Sequence, residues 1–508
     1  MSRFTKLSTC SALALGVAAG PAFADLTAQD VWDGMESAMT GFGYTVTATE
    51  TPTSDGLDVT DVMLTFDVPD ENSKVSFGVS SIDLVNNGDG SVTMTFPASM
   101  PIMIDAAPEG EDDVSMVLEY NNSGLEIVVS GDPSALNYAY TADSLSMSLA
   151  ELIVNDEVVG RDEARFDFAL TGMTGTAQTA FGNGTRIEQE VRAESARYEM
   201  AFNDPESTDT ALISGSMQGL SIDSATTLPE GFDASAPESL LTGDFLARGK
   251  FDYTDGEMQF AGTAPEGTSS GTTRSGAVSL EFSMDGSLIA YNLSATDQAV
   301  TVTGTELPVP VSVNVAESAF NVTMPIAASD TPEDMALGMT FGGFEMSDVL
   351  WNMVDPAAAL PRDPVTIALD LTGKVTPFVS LFDPVAMAQL EATGGMPGEL
   401  NALTLNDLTI EAAGAKLGGT GAFTFDNTDL QTFGGFPRPS GGVDFSLEGA
   451  NSLIDKLIGM GLITNEDAMG ARMMMSMFAV PGTGPDSLKS SIQINDQGHV
   501  LANGMRIQ

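Results

Sequence analysis

The 508-residue sequence contains one cysteine, one histidine and two tryptophans. It has 19 Lys and Arg against 71 Asp and Glu, a formal net charge of −52 at pH 7. A lone His and a lone Cys cannot assemble a His or Cys metal cluster, so no metal and no cofactor are expected. A surface this acidic repels polyphosphate and anionic headgroups, which argues against nucleic-acid binding. There is no G-x-x-x-x-G-K-[ST] phosphate loop and no nicotinamide or flavin fingerprint. After the N-terminus no apolar run reaches membrane-spanning length, so no transmembrane helix is expected in the mature chain.

The first residues carry an address. Arg3 and Lys6 form a basic start, and Leu7 to Ala19 is apolar or small. Gly20 and Pro21 break that stretch, and Ala22-Phe23-Ala24 precedes Asp25. This is the layout of a cleavable secretory signal over residues 1–24, with cleavage between Ala24 and Asp25. Most of the apolar stretch follows Cys10 instead of preceding it, so lipidation is not expected. Cleavage would remove Arg3, Lys6 and Cys10, taking the charge from −52 to −54. The mature protein is then expected in the periplasm, without cysteine and without disulfides.

What is present is alternation. Val59 to Phe66, Ser91 to Phe96, Arg165 to Leu170, Val278 to Met284 and Phe320 to Met324 alternate apolar with polar residues. Such segments read as antiparallel strands with one buried face. Asn86-Asn87-Gly88-Asp89-Gly90 reads as a hairpin turn. No strict repeat period is legible. The expected fold is mainly β: a long curved antiparallel sheet, or two β-rich halves. A division is placed between residues 25–235 and 236–508. Ala201 to Ser239 reads as turn-rich, and Ala261 to Gly276 as a loop.

Helices are few. Thr27 and Asp30 form a capping box for an N-terminal helix that Gly41 can end. A short helix is expected over Ser347 to Val354. A C-terminal helical hairpin is expected over residues 451–478, its second helix capped by Thr464 and Asp467. Met469, Met473 and Met477 stripe that helix; a 3.6-residue stripe predicts packing on the sheet, the alternative being a flexible methionine face that lines a hydrophobic groove. Asp355-Pro356 and Asp383-Pro384 each place an N-cap residue before a proline suited to the first helical position.

No residue set points to chemistry. His499 lies in a turn without a readable partner, so no triad is inferred. Carboxylates are abundant, but no linear spacing specifies a catalytic pair. The acidic turns at Asn86–Gly90 and Asn203–Asp204 do not follow calcium-loop spacing. No catalytic residue is assigned.

Several segments resemble one family. They are Asp25 to Trp32 with Gly43 to Val46, Leu350 to Pro356, Leu360 to Pro364, Leu369 to Gly373, Leu381 to Pro384, and Gly449 to Leu462. Together they resemble the exported alphaproteobacterial proteins of domain of unknown function 2125, over nearly the whole mature chain. The most distinctive stretch holds Trp351, Asp355, Pro356, Leu360, Pro361, Arg362, Asp363 and Pro364. That family implies no activity. The last third is also similar in pattern to AsmA-like and YdgA-like periplasmic β-proteins, which implies a curved sheet with an apolar trough. Arg362, one of few cations, is expected to bind nearby carboxylates or receive an anionic ligand.

The expected function is non-enzymatic and envelope-associated, with a groove for lipid or another hydrophobic ligand. Its protein partner is unknown. The alternative is an acidic interaction protein that binds a cationic partner or divalent ions. A carboxylate-based hydrolase is a third reading. An outer-membrane barrel is disfavoured because aromatic girdles are missing.

Overall fold

The computed structural model describes residues 25–68, 73–106, 113–232 and 244–508. The chain opens with helix α1 (Ala28–Gly41) and strands β1 (Thr45–Pro52), β2 (Gly56–Val68) and β3 (Ser73–Asn86). Four shorter strands follow: β4 (Val92–Thr95), β5 (Ser99–Ala106), β6 (Val114–Ser123) and β7 (Glu126–Asp132). Next come β8 (Ala135–Val154), β9 (Glu157–Val159), β10 (Ala164–Gly182), β11 (Gly184–Asn203) and β12 (Thr210–Pro229). A second short set is β13 (Leu246–Tyr253), β14 (Asp255–Ala264), β15 (Gly267–Ser275) and β16 (Val278–Asp285). Strands β17 (Leu288–Gly304), β18 (Val311–Pro325) and β19 (Glu333–Met346) precede α2 (Asp348–Val354) and β20 (Val365–Pro377). Helix α3 (Pro384–Thr393) leads into β21 (Gly398–Ala412), β22 (Ala415–Asp426) and β23 (Arg438–Glu448). Helices α4 (Ala450–Gly459) and α5 (Asn465–Phe478) are followed by β24 (Val480–Pro481), β25 (Ser487–Ile494), β26 (Val500–Ala502) and β27 (Met505–Arg506).

All these strands join one antiparallel sheet. This is the long-sheet form of the expected mainly β fold, with its N-terminal helix and C-terminal helical hairpin. The expected division at residues 235 and 236 falls outside the described residues. On either side of it, β12 pairs with both β13 and β14.

A repeat exists in the topology and not in residue spacing. Strand β3 pairs with β4 along one half and with β5 along the other. β5 pairs with β6, β4 pairs with β7, and β6 and β7 both rejoin β8. Strand β12 splits in the same way onto β13 and β14. β14 pairs with β15, β13 pairs with β16, and β15 and β16 both rejoin β17.

Left-handed residues recur along a line through the middle of this sheet. They are Asp61 (φ 53°) in β2, Gly172 (59°) in β10, Gly219 (61°) in β12, Asp297 (49°) in β17 and Gly343 (65°) in β19. Asp61 and Gly343 fall at bulges, where the register shifts against β1 and β20. At Gly172, Gly219 and Asp297 the register runs through unbroken, so the left-handed backbone alone marks the crease. The side-chain alternation changes parity there. Phe168 and Leu170 share the inner face with Met173 in β10, Ala193 with Ala196 in β11, and Met217 with Leu220 in β12. Without that shift, one half of each long strand would turn its apolar residues to the opposite face. The crease therefore keeps one face apolar along strands of up to 20 residues.

Glycine has a second use, beneath rings. Gly175 lies opposite Tyr140, Gly215 opposite Tyr198, Gly271 opposite Phe260 and Gly419 opposite Phe445. A Cβ at any of the four would sit 2.3–2.8 Å from the ring. The stretch Ala261 to Gly276, expected as a loop, is instead the β14–β15 hairpin, with Gly271 leaving room for Phe260. Most of the stretch read as turn-rich from Ala201 is β12.

Helix α1 caps one part of the apolar face. The Thr27–Asp30 capping box is present. Val31 and Trp32 are buried among Leu57, Val59, Leu84, Val92, Val129 and Leu136. Gly34 permits this approach, because a Cβ there would lie 2.6 Å from Leu136 Cδ1. A second cluster, Leu228, Phe245, Met284 and Ile326, closes another end of the face with Phe42, Leu381 and Phe382. Helix α5 corrects an expectation. It buries Ala468, whereas Met469, Met473 and Met477 are exposed. Helical period identifies a face, but packing decides whether it is covered.

Candidate functional site

The distinctive stretch forms a corner where β19 leaves the sheet and β20 re-enters it. Ser347 begins α2, as expected, and the chain leaves that helix at Asp355. Asp355 is not the N-cap expected from Asp355-Pro356. It follows α2, and its carboxylate turns onto the next loop. Oδ1 accepts from the Ala359 N–H (3.0 Å) and Oδ2 from the Leu360 N–H (2.8 Å). Its side chain is fully buried. The Leu360 N–H foremost, then the Ala359 N–H and the nearby Arg362, hold its carboxyl below the ordinary carboxylate range. Asp383, by contrast, does cap a helix: it accepts from the Ala386 N–H at 2.9 Å, with Pro384 in the first turn.

Arg362 ties the corner together. It pairs with Asp348, donates to Asn352 Oδ1 at 2.7 Å and lies 5.9 Å from the Trp351 ring centroid. Among the described residues, its Nε and the hydroxyl of Ser347 at the start of α2 are buried without a hydrogen-bond partner. Pro361 packs on the β21–β22 turn, where a Cβ on Gly414 (φ 80°) would meet Pro361 Cγ at 3.0 Å. The fold thus gathers Trp351, Asp355, Leu360, Pro361 and Arg362, and leaves Pro356, Asp363 and Pro364 exposed. The cluster anchors a loop; its carboxylates are engaged by backbone N–H groups and by one guanidinium.

The two sheet faces differ chemically. One is concave over β8 to β17 and holds a cavity of about 770 Å³, lined by Gln178, Glu188, Glu190, Asp223, Arg248, Lys250 and Glu281 among others. Charges on this face pair across strands, Lys250 with Glu281 (3.0 Å), Arg192 with Asp223 (3.3 Å) and Arg248 with Glu188 (3.9 Å), and within β11, Arg192 with Glu190 (3.0 Å). The opposite face is apolar. Across β17 to β21, Leu293 stands opposite Phe320, Phe320 opposite Met339, and Met339 opposite Leu369. In a neighbouring row Phe341 stands opposite Ile367, and Ile367 opposite Ile410. Leu293, Phe320, Met339, Phe341, Ile367 and Ile410 are each 36–46% exposed. Sequence alternation marks these residues as apolar but cannot show that no described residue covers them.

Other sequence-level candidates stay apart. His499 lies in the β25–β26 turn, where its backbone N–H donates to Asn495 Oδ1. Asp89 and Asp204 bond their own turns: Asp89 accepts from Ser91, and Asp204 from the Glu206 N–H. Ala24 and Cys10 lie outside the described residues, and Asp25 is exposed at their edge. Among the described residues no group of three His, Cys, Asp or Glu is placed to hold a metal ion. No described helix is long and apolar enough to cross a membrane.

A family model described as an uncharacterized protein conserved in bacteria, DUF2125, matches residues 253–507. The match takes in the corner and β14 to β27. The segments Asp25 to Trp32 and Gly43 to Val46 lie outside it. No curated protein and no solved structure matches the chain.

Proposed function

The chain belongs to the DUF2125 family of bacterial proteins, and on that premise we propose that it is a non-enzymatic, exported protein of the cell envelope that binds acyl chains. The observation that carries this reading is the open apolar face on β17 to β21. Six apolar side chains there, each 36–46% exposed, lie in cross-strand register. Together they show on the order of 400 Å² of apolar surface, as large as the greatest patch on many monomers. At about 25 cal/mol per Å², covering half of it gains roughly 5 kcal/mol. A flexible acyl chain fits such a surface, because the surface offers area and no hydrogen-bonding groups. The sequence-level likeness to AsmA-like and YdgA-like β-proteins supports the same reading.

Titration of a fluorescent fatty acid into the full chain tests this. The wild type is expected to bind the probe. The double variant F320S/M339S, on the apolar face, is expected to lose it, and T340A, on the opposite face, to keep it. Probe binding unchanged in F320S/M339S would overturn the reading. The alternative, an acidic surface for a cationic partner or divalent ions, rests on the net charge of −52. It predicts a calcium-dependent rise in melting temperature, or a basic partner released by salt. The carboxylates of the concave face speak against that alternative there, since Arg192, Arg248 and Lys250 already pair with them.

A further inference from the structure

Helix α5 shows its methionines to water. Met469 is 65% exposed, Met473 62%, Met474 64% and Met477 58%. These four side chains and Phe478, 39% exposed on the same 14-residue helix, add little to folding, since an apolar residue stabilises by being covered. Their spacing is regular. Met473 and Met477 stand at i and i+4, and Met474 and Met477 at i and i+3, so their Cβ atoms are near neighbours on the helix surface. Three rotatable bonds per side chain let the thioethers reach a common point. A thioether is a soft, uncharged donor that selects Cu(I) over hard cations. The end of the helix favours a positive charge as well. The final turn of α5 carries no basic residue, although helix C-termini attract cations. The whole chain is strongly acidic, with a net charge of −52.

We propose that Met473, Met474 and Met477 form a three-thioether site for a soft monovalent cation, Cu(I). Met469, one turn earlier, lies beside the site and serves as an entry ligand. No bond is made or broken in the protein and no electron is transferred: the sulfur lone pairs replace the ligands that carried the ion. This site is independent of the acyl-chain face. It depends on sulfur, whereas a docking face depends only on apolar area. Leucine separates the two, because it keeps the area and the helix and removes the donor.

The test presents Cu(I) to the full chain as its coloured bicinchoninate complex under argon. The wild type is expected to bleach the complex, taking up a single equivalent. X-ray absorption of the loaded protein is expected to show a sulfur-only shell. The variant M473L/M474L/M477L is expected to lose the uptake while keeping its far-ultraviolet circular dichroism. The variant M353L/M396L, which removes two other exposed methionines, is expected to retain it. Should the triple variant unfold, M477L alone removes one ligand and weakens the uptake. No bleaching by the wild type, equal uptake by the triple-leucine variant, or an oxygen or nitrogen shell would each overturn the proposal.

Discussion

The crease makes a sharp prediction, because two glycines in neighbouring strands demand opposite outcomes. Gly219 in β12 has φ 61°, and a Cβ there would lie 2.7 Å from Thr254 Oγ1 and 3.2 Å from Thr254 Cγ2. Gly249 in β13 has ordinary extended backbone, and a Cβ there meets nothing within 4 Å. Alanine at either site narrows the unfolded ensemble, which by itself stabilises by about 0.4–1 kcal/mol. At Gly219 the left-handed conformation costs alanine roughly 1–2 kcal/mol. Moving Thr254 away adds about 1 kcal/mol more. G219A is therefore expected to destabilise by about 1–2 kcal/mol, and G249A to stabilise by about 0.4–1 kcal/mol. Urea unfolding followed by circular dichroism measures both, with midpoints moving in opposite directions at equal slopes. If both midpoints move the same way, or if G219A is neutral, the left-handed crease does not carry the strand bend.

Three further outcomes follow from the corner and the helical hairpin. Asp486 caps α4 from another segment: its Oδ1 accepts from the Asn451 N–H (3.1 Å) and its Oδ2 from the Ser452 N–H (2.8 Å), since Gly449 at the N-cap has no side chain. D486A is expected to cost about 1 kcal/mol and to speed amide exchange in α4 but not in α1; equal rates would refute the cap. Asp355 has a carboxyl held below its ordinary value of 3.8 by the Leu360 and Ala359 N–H groups. A depressed folded value means its stabilisation is present above 3.8 and is lost as pH falls through the lowered value. Wild type is expected to lose more stability on acidification in that window than D355N, and parallel acid curves would contradict the assignment. Arg362 lies over Trp351, one of two tryptophans. In a W32F background R362A is expected to red-shift the remaining emission as the ring meets water, and an unmoved spectrum would remove Arg362 from the corner.

The sequence disclosed what is local. The capping boxes of α1 and α5 and the Asp383 cap depend on residues three apart, and all three are present as read. Alternation disclosed the sheet but misjudged parts of it for physical reasons. Gly271 reads as a loop residue, yet it is there to leave room for Phe260 on the paired strand. Gly172 and Gly219 went unremarked in the alternation, yet they hold the face constant across the crease. Asp355 looked like an N-cap because its true partners, the N–H groups of Ala359 and Leu360, become near only when the loop turns back. The methionine stripe on α5 has helical period, but a period does not reveal whether a face is covered. The open rows on β17 to β21 were legible as apolar and not as uncovered, since covering is a property of the whole fold.

The most direct test of the central proposal is native mass spectrometry, with lipid extraction, of full-length protein exported and purified without organic solvent or strong detergent. The acyl-chain account predicts bound lipid mass on the wild type that is lost in F320S/M339S and kept in T340A. A ligand-free wild-type spectrum with no extractable lipid would contradict it.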